Sequence, residues 1–293
     1  MGPAGAVALT CLFLLQVGVG TLGNAVLFLH HVPDLCGPRQ TPPSTVLPHL
    51  AVANVLVLLS TGLPHLLAAW VSRTPLSSLG CKLVSFLHRT GRSTSLCSTC
   101  LLSTSQLLTL SPGRLGWTVL RRLPKALGAS CCACWLLSAL INVYIPVVVT
   151  GPGRVSNGSE PQGRWFCWSS GASRAIVVLW LVPDAVFIGL MGWASVSMAL
   201  LLRSHQQRVR HLHTPRPGQG CPPETRATRT ILRLTGTFVS FYLLNSAVVC
   251  YMTVFLDTPL LLTQVSEVLV CCFPSLCPFL MTLRDSSWAR FCS

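Results

Sequence analysis

Long runs of apolar residues, each about 18 residues or more, recur along the whole chain and are separated by shorter polar segments. A run of this length matches the roughly 20 residues that cross about 30 Å of hydrocarbon as an α-helix. The runs do not alternate in polarity, as the shorter strands of a transmembrane β-barrel would. The pattern therefore predicts an all-α, polytopic membrane protein with one seven-helix domain over 1–293. The approximate spans are 6–29, 46–70, 80–110, 126–149, 175–202, 234–256 and 260–283.

Composition supports a membrane environment. Hydrophobic residues make up 51% of the chain and charged residues only 10%, whereas soluble domains carry about 25% charged residues. The first span is unlike a cleaved secretory leader, because "MGPAGAV" has no positive charge and the apolar run exceeds an h-region of about 7–15 residues. We expect this helix to be retained, although its cleavage would leave the other six spans in the same orientation.

The basic residues predict the orientation of the bundle, because cytoplasmic loops carry an excess of Lys and Arg. With the N-terminus outside, fourteen of the 21 basic residues fall in cytoplasmic segments and four in external ones. The net charge of +14 is then explained by topology and by anionic membrane lipid, and no nucleic-acid binding is predicted. The tripeptide "NGS" at Asn157 is a glycosylation acceptor used on the lumenal side, which agrees with an external loop at 151–173.

The longest cytoplasmic segment, 203–228, mixes basic residues with Pro and Gly. Its first part, "LLRSHQQRVRHL", is predicted to continue a helix beyond the membrane. In a generic membrane protein the basic residues here are a positive-inside anchor. In a receptor they are the natural contacts for an acidic partner, and the candidates are Arg203, Arg210, Arg226 and Arg229.

Ionisable residues inside the spans predict a polar cavity that opens outward, because charges in lipid are costly and face the bundle interior or water. His88 lies seven residues after Cys81, roughly 10 Å along a helix, and Arg92 follows four residues later on the same face. Asp184 is a further buried charge, and Glu267 lies near the outer surface, where it could pair with Arg92 or with a ligand cation. An internal salt bridge and a ligand contact both remain open. We take His88, Arg92 and Glu267 as candidate ligand contacts.

The chain has 15 cysteines, most of them inside spans, where we interpret them as small packing residues. Examples are Cys131, Cys132, Cys134, Cys271 and Cys272. Two cysteines differ, because they lie at the external end of the third helix and in the second external loop, where the environment is oxidising. A disulfide between them, Cys81 to Cys167, would tie that loop across the mouth of the bundle. No metal site is predicted, because the "CCAC" stretch at 131–134 has no complementary His or Cys group nearby in sequence.

Four further polar or helix-breaking residues lie within the spans. Asn24 and Asn54 are mid-helix, where amides usually form hydrogen bonds between helices. Pro274 and Pro278 would remove backbone hydrogen bonds and kink the seventh helix, either for packing or as a hinge.

No pattern typical of an enzyme is found in the sequence. There is no GxSxG, HExxH or Walker motif and no intramembrane pair of aspartates. We predict neither an enzymatic activity nor a cofactor.

Several motifs resemble those of rhodopsin-like G-protein-coupled receptors. "GNAVLF" at 23–28 resembles their first-helix motif, and "LAVANVLVLL" at 50–59 resembles the second-helix motif that usually carries Asp where this chain has Asn54. The end of the third helix departs from the pattern, since Ser105, Gln106 and Leu107 stand where most of these receptors have an acidic-Arg-Tyr triplet.

Three longer stretches narrow the resemblance. They are "CKLVSFLHRTGRSTSLCSTCLLSTSQLLTLSP" at 81–112, "TFVSFYLLN" at 237–245 and "FPSLCPFLM" at 273–281. Together they resemble vomeronasal type 1 receptors, and the likeness extends across essentially the whole chain.

The resemblance implies a pheromone receptor of the plasma membrane that activates a heterotrimeric G protein of the inhibitory class. An odorant would bind in the outer half of the bundle and open a cytoplasmic crevice between the third, fifth and sixth spans. The missing triplet implies that the usual inactive-state lock at the foot of the third helix does not form.

Two other interpretations remain open. A small transporter or channel would line a conduction path with its intramembrane charges, although such proteins often show internal repeats and none is evident here. A relative of the family with little signalling function would be retained in the endoplasmic reticulum.

Overall fold

Seven long helices, of 23 to 39 residues, form a bundle within the part of the chain that the structure describes. The computed structural model describes residues 3–36, 41–70, 77–110, 117–150, 167–169, 174–212, 223–254 and 260–282. The helices are α1 (Pro3–Cys36), α2 (Pro42–Trp70), α3 (Ser78–Leu110), α4 (Trp117–Ile141), the single turn α5 (Ile145–Val148), α6 (Arg174–Leu212), α7 (Pro223–Val254) and α8 (Leu260–Thr282). A long helix covers most of each predicted span, and the all-α bundle is confirmed.

A very short hairpin accompanies the helices. Strands β1 (Val149–Thr150) and β2 (Trp168–Ser169) pair antiparallel, with Val149 opposite Ser169 and Thr150 opposite Trp168. This hairpin adjoins Cys167, which forms a disulfide with Cys81 near the start of α3, with 5.6 Å between the Cα atoms. We call this end of the bundle the disulfide end.

Helix α3 differs from its neighbours in composition. Six of the helices in the described ranges are long and apolar enough to cross a membrane, and α3 is not among them. The expectation of seven strongly apolar runs was therefore wrong for the third. Because α3 packs against α2, α4, α6 and α7, protein surrounds it in place of lipid. Several of its Ser and Thr hydroxyls donate to carbonyls of their own helix, as those of Thr99, Ser103 and Thr104 do.

The fourth predicted span is not one helix. A turn at residues 142–144 separates α4 from α5 within the predicted span 126–149, although Leu123–Val148 as a whole is long and apolar enough to cross a membrane. Pro146 has no N–H for the carbonyl of Asn142, and the Ile145 N–H bonds to that carbonyl instead, at 3.1 Å. The Asn142 side chain in turn donates to the Ser138 carbonyl at 2.7 Å, so the broken helix end is satisfied inside the bundle.

A polar network joins four helices, and the prediction that Asn24 and Asn54 link helices is confirmed. The Asn24 amide accepts a hydrogen bond from Asn54 at 3.0 Å, and the Asn54 oxygen accepts one from Ser95 at 3.0 Å. Asn24 also donates to the Pro274 carbonyl at 2.7 Å. That carbonyl has no helical donor, because the residue four positions on is Pro278, which lacks an N–H. Asn24 therefore satisfies the acceptor that the second proline leaves open.

A second disulfide links α3 to α4 between Cys97 and Cys134, with 6.2 Å between the Cα atoms. This corrects the interpretation of Cys134 as a packing residue, because antiparallel packing of the two helices brings it opposite Cys97. Cys131 and Cys271 are free and buried, while Cys132 is free and exposed at the side of the bundle.

We expect peptide mapping of the purified chain without reduction to recover a fragment with Cys97 linked to one with Cys134. Because the crosslink closes a long loop, Cys97→Ser should lower the free energy of unfolding by about 2–4 kcal/mol. The control is Cys132→Ser, which removes a free, outward-facing thiol and should leave stability unchanged. Alkylation of both Cys97 and Cys134 without prior reduction would contradict the assignment.

Candidate functional site

A cavity lies between α2, α3, α7 and α8. Arg92, which lines it, is eleven residues beyond Cys81, or about 16 Å along α3 from the disulfide end. The cavity has a volume of about 40 Å³, which is enough for roughly three water molecules. A larger ligand therefore requires the side chains around it to move. The lining is mostly apolar and consists of Val57, Arg92, Ser95, Phe238, Phe241, Tyr242, Asn245, Leu269, Val270, Phe273 and Pro274.

Arg92 is the charged side chain in this lining. Its guanidinium carbon lies 4.6 Å from the centre of the Tyr242 ring, which is the geometry of a cation–π contact. When the Asn245 amide is oriented so that both its oxygen and its nitrogen have partners, Nη1 of Arg92 donates to the amide oxygen at 2.9 Å. The Asn245 nitrogen then donates to Ser266, at 3.0 Å to its hydroxyl and 3.2 Å to its carbonyl. Arg92 is thus held by α7, and α7 is held by α8.

Asp184 on α6 completes this group. The Tyr242 hydroxyl donates to the carboxylate oxygen Oδ2 of Asp184, and Asp184 is within electrostatic range of Arg89 and Arg92. Phe238 stacks on Tyr242, with ring centres 5.7 Å apart, and meets Phe273 edge to face at 4.5 Å. Arg92, Tyr242, Asn245 and Asp184 therefore form one polar cluster, and the first three of them line the cavity.

His88 does not share this cavity. Its ring nitrogen Nδ1 lies 3.1 Å from the Thr61 hydroxyl and 3.4 Å from that of Ser60, both on α2. Positions four apart on a helix differ by about 40° around its axis. That difference, with the reach of the Arg92 side chain, directs the two groups to different neighbours. His88 and Arg92 lie one turn apart on α3, as the spacing predicts, but His88 contacts α2 and Arg92 contacts α7.

Glu267 lies on α8, one residue after Ser266, and is partly exposed. It is not in the described lining of the cavity. The contacts that the structure describes for Arg92 include the Tyr242 ring and the Asn245 amide. A pair between Arg92 and Glu267 stays a prediction.

Tyr242 and Asn245 were not among the candidate residues, although they hold Arg92. Both belong to the "TFVSFYLLN" stretch at 237–245, which resembles a family motif. Their spacing of three residues places them on one helical face, and polar groups at this spacing in an apolar run were the signal that could have found them.

The candidate contacts for an acidic partner lie on α6 and α7, towards the end opposite the disulfide. Arg203 and Arg229 are exposed, and Arg210 and Arg226 lie on the same two helices. The two helices contact each other. The glycosylation acceptor Asn157 lies outside the described residues. Among those residues, no three His, Cys, Asp or Glu side chains form a group able to hold a metal ion.

Seven long helices in the described ranges, six of them apolar enough to cross a membrane, surround an interior cavity with one charged side chain and define a multi-pass membrane protein with a seven-helix bundle. Residues 7–293 match the Vomeronasal organ pheromone receptor family. The chain therefore belongs to the vomeronasal type 1 receptor family, and it is a receptor and not an enzyme.

Individual relatives resemble the chain over nearly its whole length. Vomeronasal type-1 receptor 4 of Homo sapiens is 38% identical over 288 residues, which cover 96% of this chain and 95% of that protein. Vomeronasal type-1 receptor 1 of Gorilla gorilla gorilla is 34% identical over 285 residues, covering 96% and 81%. Olfactory receptor class A-like protein 1 of Danio rerio is 32% identical over 279 residues, covering 92% and 86%. Family membership implies a small-molecule ligand and coupling to a G protein.

Proposed function

We propose that the chain is a plasma-membrane chemosensory receptor with an extracellular N-terminus, which binds a pheromone or other odorant in the outer half of the bundle. The observation that carries the proposal is the cavity around Arg92 in a member of this family. Under this topology the disulfide end faces outward, so the cavity lies within reach of a ligand from outside. The far ends of α6 and α7 then face the cytoplasm.

The lining supports a small, largely apolar ligand with at least one polar group. Three phenylalanines and Tyr242 supply aromatic surface, while Arg92 supplies hydrogen-bond donors. Because the present cavity is small, binding would select or induce an arrangement in which the cavity is larger. Movement of α7 is a direct way to enlarge it, since α7 contributes Phe238, Phe241, Tyr242 and Asn245.

His88 and Glu267 remain proposed ligand contacts, although they are not in the described lining of the cavity. A ligand that extends from the cavity towards α2 would reach His88, and one that extends along α8 would reach Glu267. Alanine at either position should then change potency more than surface expression. The opposite result would assign that residue a structural role.

We further propose a heterotrimeric G protein, of the inhibitory class, as the intracellular partner. The basic residues on α6 and α7 give this end a positive charge that suits an acidic surface. The same residues also favour anionic lipid at the membrane surface.

The proposal is tested with the full chain and a co-expressed G protein in membranes. A screen of volatile and steroid-like compounds should find ligands that stimulate nucleotide exchange. Ligand flux without exchange would favour a transporter or channel. Retention of an N-terminally tagged chain in the endoplasmic reticulum of a sensory cell would favour a relative with little signalling function.

Removing the exposed charge from both helices should weaken coupling. We expect Arg203→Gln combined with Arg229→Gln to reduce ligand-stimulated exchange about threefold to tenfold, because each loses an electrostatic contact with the partner. Ligand binding should be unchanged. The control is Lys125→Gln, which removes an exposed basic residue of α4. An equal loss in the control would show a general charge effect and contradict a specific contact.

A further inference from the structure

A pair of buried hydroxyl groups joins α3 to α7 in the half of the bundle away from the disulfide end. The Oγ atom of Ser103 and the Oγ1 atom of Thr235 are 2.7 Å apart. The two residues are 0% and 1% exposed. Neither group can therefore exchange its partner for bulk water while the helices stay together.

The direction of the hydrogen bonds follows from the number of protons. Ser103 Oγ lies 2.9 Å from the carbonyl oxygen of Thr99, to which it donates. A serine hydroxyl has only one proton, so the arrangement that gives both hydroxyl protons an acceptor has Thr235 donating to Ser103. The result is a directed chain from Thr235 on α7 through Ser103 to the backbone of α3.

The same two helices carry the cavity. Ser103 lies eleven residues after Arg92 on α3, about 16 Å further along, and Thr235 lies seven residues before Tyr242 on α7. Arg92 and Tyr242 meet at one level, and Ser103 and Thr235 meet at another. A displacement of α7 relative to α3 that enlarges the cavity therefore strains the hydroxyl pair as well.

We propose that Ser103 and Thr235 form a latch that holds α7 against α3 in the resting receptor and opens during activation. This inference rests on the proposed function. The latch is an uncharged contact between α3 and α7. It lies near Ser105, Gln106 and Leu107, which stand where most rhodopsin-like receptors have an acidic-Arg-Tyr triplet. The latch can open and close again, because the Thr235 hydroxyl can donate to a carbonyl of α7 when it leaves Ser103.

The test uses Thr235→Val, which keeps the shape of the side chain and removes the hydroxyl. Ligand-independent nucleotide exchange should rise about threefold to tenfold, the range expected when one interhelical hydrogen bond in a membrane is lost. Ser103→Ala should also raise ligand-independent exchange. The double variant should raise it little more than the stronger single variant, because both substitutions remove the same hydrogen bond.

The matched control is Thr237→Val, two residues along the same helix. The Thr237 hydroxyl donates at 2.8 Å to the Arg233 carbonyl of its own helix, so its loss breaks no contact between helices. Basal exchange of this variant should equal that of the unaltered chain. A rise in the control as large as that of Thr235→Val would overturn the latch.

A second readout needs no G protein. Spin labels at Leu110 on α3 and Arg233 on α7 report the separation of these helices in lipid nanodiscs. Thr235→Val and Ser103→Ala should each enlarge the population at long distance about threefold to tenfold, and Thr237→Val should not. An unchanged distance distribution in both latch variants overturns the latch, whatever the exchange assay shows. A shifted distribution without ligand-stimulated exchange supports the latch and contradicts the proposed function.

Discussion

Arg92→Gln is expected to reduce ligand potency by about tenfold to a hundredfold, while the chain still reaches the cell surface. The guanidinium lines the cavity and is held by the Tyr242 ring and the Asn245 oxygen. Loss of a charged hydrogen bond in a buried site costs about 1.5–3 kcal/mol, which corresponds to this change in affinity. The measurement is a dose-response curve for nucleotide exchange with any ligand found in the screen.

The control is Lys82→Gln, which removes a positive charge from the same helix without changing the described lining of the cavity. Its potency should match that of the unaltered chain. Arg92→Lys is a useful intermediate, because it keeps the charge but loses the planar set of donors. Unchanged potency in Arg92→Gln, at normal surface expression, would place the ligand elsewhere.

Asn24→Leu is expected to destabilise the folded bundle by about 1–3 kcal/mol, the range for buried polar groups that lose their partners. The substitution removes the donor for the Pro274 carbonyl and the acceptor for the Asn54 amide. Surface expression should fall severalfold, because quality control responds to losses of this size. The thermal midpoint of the detergent-solubilised chain provides the direct measurement.

The chain offers a compensating change for this prediction. Pro278→Ala supplies the N–H that the Pro274 carbonyl lacks, so Asn24→Leu should cost less in that background than alone. Ser130→Ala is the neutral control, because this hydroxyl only donates to the Ala126 carbonyl of its own helix. Equal losses in both backgrounds would contradict the assigned role of Asn24.

The helices could be predicted from the sequence because the length of an apolar run and the backbone's need for hydrogen bonds in lipid are local properties. The sequence also predicted that Asn24 and Asn54 form hydrogen bonds between helices, since an amide in mid-membrane needs a partner. Their actual partners were not, because Pro274 lies 250 positions from Asn24 and depends on how α1 and α8 pack.

The candidate site could be predicted only in part. The sequence predicted Arg92 at an interior cavity, but the lining of that cavity is mostly apolar. The partners of Arg92 on α7 lie far along the chain, so helical spacing on α3 could not indicate them. The pairing of Cys97 with Cys134 has the same origin, because it depends on the register of two antiparallel helices. His88 shows the converse, since correct helical spacing to Arg92 did not fix which neighbour it meets.

The two disulfides have a consequence for how such a bundle can move. Cys81 and Cys97 anchor α3 covalently at two depths, to the hairpin and to α4. Asn24 links α1 to α8 through the Pro274 carbonyl. We therefore expect α1, α3, α4 and α8 to move little relative to one another. Under the proposed function, ligand-driven movement is then expected mainly in α6 and α7, which neither of these two disulfides links to α3.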